Sequence, residues 1–311
     1  MTPAFTDIHH ELTAKDEAVV SAIRAQSAPF KGMMSGPEAR GGYDEMIGAI
    51  PAANDITHEN AVIGGVSGIW CRPKNARPDA AILYLHGGAY VLGSANAYRH
   101  FAGQFAARTN TSAFVPDYGL APERPFPAAV NDAQSVYRGL VAQGISRIVI
   151  VGDSAGGGLS LVLLSLAQAE ASAGQGQAPT ACVVMSPWTD MALTGASYAT
   201  RADEDPFLTQ AVLKTSAAHY LGTKAANHPH ASPLYGDLAG LPPIQMHVGT
   251  SEVLLDDTLS FAARVRATGG DATVHVWQGM PHVFPSSFGI LDAGEQAMVL
   301  MSDFIRANVQ P

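Results

Sequence analysis

Residues 146–159 read Ser-Arg-Ile-Val-Ile-Val-Gly-Asp-Ser-Ala-Gly-Gly-Gly-Leu, and this stretch decides the fold. An apolar β-branched run from Ile148 to Val151 ends in Gly152-Asp153-Ser154-Ala155-Gly156 and passes into the helix-favouring run Leu159 to Ala169. Strand, tight turn and helix with a serine at the apex is the arrangement that lifts a hydroxyl clear of a sheet, and Gly-x-Ser-x-Gly is its signature. Glycine is needed at 152 and 156 because a Cβ there meets the neighbouring strand or helix, while the serine itself sits on a strained backbone. Five residues can match by chance. The strand before them and the helix after them carry the weight.

Working outward, short β-rich runs alternate with helical patterns from about residue 60 onward. Expected strands are Ala61–Trp70, Ala80–Leu85, Ser112–Pro116, Arg147–Val151, Ala181–Ser186, Ile244–Gly249 and Thr273–Trp277. Expected helices are Ala97–Thr109, Ala128–Gln143, Leu159–Ala173, Asp257–Thr268 and Glu295–Asn308. The central strands are apolar throughout, as strands covered on both faces must be. An α/β fold follows, with a mostly parallel central sheet and helices on both faces. Residues 1–50 read as helical or loop-like, and residues 193–227 interrupt the strand–helix rhythm around the acidic turn Asp203-Glu204-Asp205-Pro206. Both are expected to form a helical cap, in two parts, over a core assembled from residues 51–192 and 228–311.

Composition narrows the function. Apolar residues make up 47% and charged residues 14% of the 311, enough for a large core and too apolar for disorder. A net charge of −9 without any Lys/Arg cluster argues against a nucleic-acid partner. Cys71 and Cys182 lie far apart in strand-like runs and read as buried free thiols. No apolar leader and no long apolar stretch is seen, so the expectation is a cytoplasmic protein without a membrane partner. Gly156-Gly157-Gly158 lacks the Gly-x-Gly-x-x-Gly pattern of a nucleotide site.

A serine hydroxyl needs a base, an acid that orients the base, and donors for the developing oxyanion. In this architecture base and acid follow the serine in chain order. His219, His228, His230, His247 and His275 compete with His282 for the base. His247 and His275 fall inside strands, and His228-Pro229-His230 has no partner for metal binding. His282 lies in Gly279-Met280-Pro281-His282-Val283-Phe284, just past the last strand, where loops carry reactive groups. The acid belongs on the loop after the preceding strand, where Glu252, Asp256 and Asp257 all qualify by pattern. Asp256 or Asp257 could instead cap the following helix. Oxyanion donors are expected from the N–H of Ala155 and from the Gly-rich turn Leu85-His86-Gly87-Gly88-Ala89-Tyr90, at Gly87 and Gly88.

These residues resemble the hormone-sensitive-lipase-like, bacterial family IV carboxylesterases, which have the α/β-hydrolase fold. The resemblance runs from about residue 60 to the end. It rests on His86-Gly87-Gly88-Ala89, Asp117-Tyr118-Gly119-Leu120-Ala121-Pro122-Glu123, Pro125-Phe126-Pro127-Ala128-Ala129, Gly152-Asp153-Ser154-Ala155-Gly156-Gly157 and Ser186-Pro187-Trp188-Thr189-Asp190. The family's acid opens an Asp-Pro-Leu-x-Asp segment thirty positions before the histidine. Here Glu252-Val253-Leu254-Leu255-Asp256 stands in that place, which implies Glu252 as the acid and Asp256 as the reserve.

The resemblance therefore implies a serine esterase acting on short- to medium-chain esters, with Ser154, Glu252 and His282 catalytic and no cofactor or metal. Small-molecule esters, or lactones by similarity to monoterpene ε-lactone hydrolases, are the implied substrates, and a homodimer is left open. Receptors of this fold that bind ligands without catalysis lack the histidine, which stands here at 282. Met33, Met34, Tyr90, Phe207, Leu208 and Val283 are the expected substrate contacts. Two departures stand out: Gly119 replaces the family's arginine, which is expected to loosen its loop, and Ala89 replaces a glycine.

Overall fold

A computed structural model describes residues 7–33 and 35–309. Among the described residues nine strands build one sheet: β1 (Ile8–His10), β2 (Ile56–Ile63), β3 (Val66–Pro73), β4 (Ala80–Leu85), β5 (Ser112–Pro116), β6 (Arg147–Asp153), β7 (Ala181–Met185), β8 (Ile244–Gly249) and β9 (Ala272–Trp277). Their spatial order is β1-β9-β8-β7-β6-β4-β5-β3-β2. Only the β2–β3 and β3–β5 pairs are antiparallel. The helices are α1 (Ala14–Ser27), α2 (Arg40–Gly48), α3 (Ala95–Thr109), α4 (Ala128–Ala142), α5 (Ser154–Ser172), α6 (Ser197–Thr200), α7 (Gln210–Leu221), α8 (Leu255–Ala267) and α9 (Asp292–Val309).

The continuous apolar runs have the expected consequence. Alternate residues of β4 and β6 point to opposite faces, and both faces are dry. Leu83, Leu85, Ile148 and Ile150 pack with Val136 of α4, Leu161 of α5 and Phe261 of α8. Ile82, Tyr84, Val149 and Val151 pack with Phe101 and Phe105 of α3 and Met298 and Met301 of α9. Each such fully buried side chain contributes about 1.5–3 kcal/mol, which holds the central strands firmly between the two helical layers. The site stands on their C-terminal ends. No helix among the described residues is long and apolar enough to cross a membrane.

Three expectations are corrected. The run expected as one strand over 61–70 is a hairpin, because Gly64 and Gly65 both take positive φ (58° and 83°) and turn β2 back along β3. The helix expected from Leu159 begins at Ser154. Three glycines lower helix propensity there, but packing requires them: a Cβ on Gly156 would lie 2.1 Å from the Leu85 carbonyl oxygen. Residues 1–50 are not wholly helical or loop-like, since Ile8–His10 adds an edge strand beside β9. Asp16 of α1 accepts the N–H groups of Asp292 and Ala293 at the start of α9, which ties this segment to the core layer.

Candidate active site

Ser154 follows β6 and opens α5 with φ 54°, a left-handed conformation that L-residues seldom adopt. Gly152 leaves room for this turn, since a Cβ there would lie 2.5 Å from the Gly156 carbonyl oxygen. The turn holds the hydroxyl at the strand end. His282 Nε2 lies 3.0 Å from Ser154 Oγ, and His282 Nδ1 lies 2.8 Å from Glu252 Oε2. With Nδ1 protonated, the imidazole donates to the carboxylate and accepts from the serine, the arrangement a general base needs.

Glu252 is fully buried. Its other oxygen, Oε1, accepts from Ser186 Oγ and from the Gly249 N–H, both at 2.8 Å. Ser186 Oγ in turn accepts the Val283 N–H at 3.0 Å, so one hydroxyl holds both the acid and the loop of the histidine. Burial pulls the His282 pKa down. The hydrogen bond and charge of Glu252, with the charges of Asp205 and Asp153, outweigh it and raise the pKa above the ordinary imidazole value.

The other two candidate acids are engaged elsewhere. Asp256 Oδ2 accepts the Ser197 N–H at 2.9 Å, and Ser197 Oγ accepts the Asp256 N–H at 3.1 Å. Asp257 is buried and accepts from the Thr189 and Asp190 N–H groups and from the Tyr198 hydroxyl. Burial pushes its pKa up to about 8. Neither makes a side-chain cap on α8, which begins at Leu255. Both tie that helix to residues 189–198 instead.

The Gly-rich turn after β4 requires one correction. The Gly87 N–H donates to Asp153 Oδ1 at 3.0 Å and is therefore not free for an oxyanion. Asp153 also accepts from Tyr84 and Tyr98, and burial pushes its pKa up to about 6. Among the described residues, no such internal hydrogen bond engages the N–H groups of Gly88 and Ala89. Ala155, in the first turn of α5, also has an N–H without a helical acceptor. Gly88, Ala89 and Ala155 thus have N–H groups free of internal acceptors, whereas Gly87, of the expected set, does not. Arg40 of α2 braces the turn, donating to the carbonyls of Val91 and Ala121 and pairing with Glu123.

Gly119 does not leave its loop unbraced. Its N–H donates to Asp132 Oδ2 at 2.8 Å, and Arg124 pairs with both oxygens of the same carboxylate. A Cβ on Gly119 would lie 2.9 Å from Arg124 Cζ, so the guanidinium fills the space beside residue 119. Of the expected substrate contacts, Met34 lies outside the described residues. Tyr90 is 1% exposed and stacks on Tyr220 at 3.8 Å between ring centroids, a packing position. Met33 and Phe207 are exposed, 66% and 38%, and the Gly32 N–H donates to the Phe207 carbonyl. Leu208 and Val283 are half-buried.

Sequence reasoning did not find Ser186, Asp153 or Asp205 as members of the site. Ser186 had one available signal, its place at the C-terminal end of a core strand. The other two are acidic residues whose contacts with the site come from far along the chain, Gly87 for Asp153 and Val253 for Asp205.

Sheet, elbow and hydrogen-bonded line together are the arrangement of an α/β hydrolase. The family model described as alpha/beta hydrolase fold matches residues 82–286. The chain belongs to the α/β-hydrolase family and, within it, to the bacterial hormone-sensitive-lipase-like esterases. It is similar to an acetyl-hydrolase of Streptomyces hygroscopicus, 39% identical over 247 residues that cover 78% of this chain and 81% of the relative. A crystal structure of an esterase from the bacterial hormone-sensitive lipase family is 39% identical, with a TM-score of 0.87 over 96% of this chain and 99% of that one. A structure of EstE5 soaked with p-nitrophenyl butyrate is 38% identical, with a TM-score of 0.86 over the same shares.

Proposed function

We propose that Ser154, His282 and Glu252 hydrolyse carboxylic esters of short to medium chain length through an acyl-enzyme. The observation that carries this reading is the line Ser154 Oγ, His282 Nε2, His282 Nδ1, Glu252 Oε2, with spacings of 3.0 and 2.8 Å. His282 takes the Ser154 proton as Oγ attacks the ester carbonyl, and Glu252 stabilises the imidazolium. The N–H groups of Gly88, Ala89 and Ala155 receive the negative charge that develops on the carbonyl oxygen. Collapse breaks the bond to the alkoxy oxygen, which leaves as alcohol with the proton from His282. Water then loses a proton to His282 and attacks the acyl carbon. The acid departs and Ser154 regains its proton.

The acetyl-hydrolase relative and the p-nitrophenyl butyrate used with EstE5 support small acyl groups. In this reading the cap expected from residues 1–50 and 193–227 draws its first part from the described residues between 28 and 50, beyond α1, with Met33, Phe207, Leu208 and Val283 facing the ester. Hydrolysis of p-nitrophenyl butyrate by the wild type and by Ser154→Ala tests the proposal. The wild type should turn over and the variant should lose nearly all of its rate; equal rates refute the assignment.

A further inference from the structure

The acidic turn before α7 meets the loop of the triad acid. Glu252 is bracketed there: Ser251 Oγ donates to Glu204 Oε2 at 3.3 Å, and the Val253 N–H donates to Asp205 Oδ2 at 2.9 Å. Asp205 has no exposed surface. Its second oxygen accepts the N–H groups of Phe207 and Leu208 at 2.9 and 2.8 Å. One buried carboxylate thus joins two backbones, the turn that presents Phe207 and Leu208 and the residue directly after Glu252. Ser197 Oγ holds the other side of that residue, donating to the Val253 carbonyl at 2.6 Å.

Capping its own turn would require only one carboxylate oxygen and no buried contact with the acid loop. A fully buried carboxylate is costly unless it is paired and hydrogen-bonded, and here part of that hydrogen bonding comes from the acid loop. The charges that face His282 are Glu252 in direct contact, Asp153 from the end of β6, and Asp205 from this turn. Burial raises the pKa of Asp205, while the charge of His282 and the three N–H groups already named act in the opposite direction.

We propose that Asp205 is a positioning residue for the Glu252–His282 pair. It fixes the residue after the acid to the turn that carries Phe207 and Leu208, and it adds its negative charge to those of Glu252 and Asp153 around the imidazolium formed during catalysis. The proposal rests on the reading of Ser154, His282 and Glu252 given above. Loss of rate in Ser154→Ala tests that reading separately, before any Asp205 variant is compared.

The test is the pH dependence of kcat/KM for p-nitrophenyl butyrate in the wild type, Asp205→Asn and Asp205→Glu, with thermal unfolding as the check on folding. Asn keeps the shape, removes the charge and turns its NH₂ toward the Val253 N–H, which loses its acceptor. It should lower kcat by roughly tenfold to hundredfold, as loss of a group that holds a working side chain does. It should also move the acid limb to lower pH, because one of the charges favouring protonated His282 is gone. Glu keeps the charge and displaces it, so kcat should fall while the acid limb stays where the wild type has it. If Asp205→Asn does not fold, Asp205→Ser, which can still accept from the turn N–H groups, takes its place with the same expected shift. An uncharged variant that folds and keeps the wild-type acid limb overturns the proposal. So does an Asp205→Glu limb displaced as far as that of the uncharged variant.

Discussion

Replacing Glu252 by Gln changes one atom and should remove nearly all activity. Glu252 Oε1 is held by the Ser186 hydroxyl and the Gly249 N–H, both donors at 2.8 Å. Ser186 cannot reverse its hydroxyl freely, because its oxygen already accepts the Val283 N–H. The Gly249 N–H cannot reverse at all. A glutamine must therefore keep its carbonyl at the Oε1 position and point its NH₂ at His282 Nδ1, where Oε2 had been. Nδ1 becomes the acceptor, the ring proton moves to Nε2, and the nitrogen 3.0 Å from Ser154 Oγ can no longer take a proton. In a Ser-His-Asp enzyme this change of tautomer costs about 10⁴ in kcat, or about 5 kcal/mol. The same order is expected here. Asp256→Asn serves as the comparison, since Asp256 contacts Ser197 and not His282. Its kcat should stay within a few-fold of the wild type. Steady-state kinetics on p-nitrophenyl butyrate, with thermal unfolding to verify that both variants fold, decides the matter. A Glu252→Gln enzyme with more than about a hundredth of wild-type kcat, or an equal loss at Asp256, refutes the reasoning.

The pH profile offers an independent check. Activity requires neutral His282, and its pKa is raised, so kcat/KM should fall as pH drops through a value above the ordinary imidazole pKa of about 6.5. An acid limb centred at or below that value contradicts the charge arrangement described. Ser186→Ala removes a hydrogen bond to a buried carboxylate, worth about 1.5–3 kcal/mol, and leaves the Val283 N–H unpaired. Expressed at the site, this loss lowers kcat by roughly 10- to 100-fold, and an unchanged kcat removes Ser186 from the site. Gly156→Ala drives a Cβ into the Leu85 and His86 carbonyls and should destabilise by about 3 kcal/mol or more, measured as a fall in denaturant midpoint. Gly42→Ala, in open space on α2, should instead raise stability by up to about 1 kcal/mol.

Much of this was legible without coordinates because its causes are local. Continuous apolar strands between helical runs specify a sheet buried on both faces. A serine between two glycines at a strand end specifies the elbow, since only a few residues' sterics are involved. His282 was separable from its rivals by its position past β9, and the resemblance of its surroundings singled out Glu252. The hairpin at Gly64-Gly65 was legible in principle, but the β-branched residues on either side masked the turn.

Other features depended on which groups meet across the fold. Pattern left Glu252, Asp256 and Asp257 equivalent. Tertiary structure separates them by giving Asp256 to Ser197, Asp257 to residues 189–198 and Glu252 to His282. The Gly87 N–H looked like an oxyanion donor until Asp153, 66 positions away, was seen to occupy it. The physical reason is the same in each case. A backbone turn is determined by the few residues that make it, whereas a hydrogen bond or a charge acts on whatever the folded chain brings within a few ångströms. The sequence by itself determined the sheet, the elbow and the histidine. Its resemblance to a family pointed to Glu252, but only the folded chain shows that carboxylate bonded to the histidine and which N–H groups remain free to meet a developing charge.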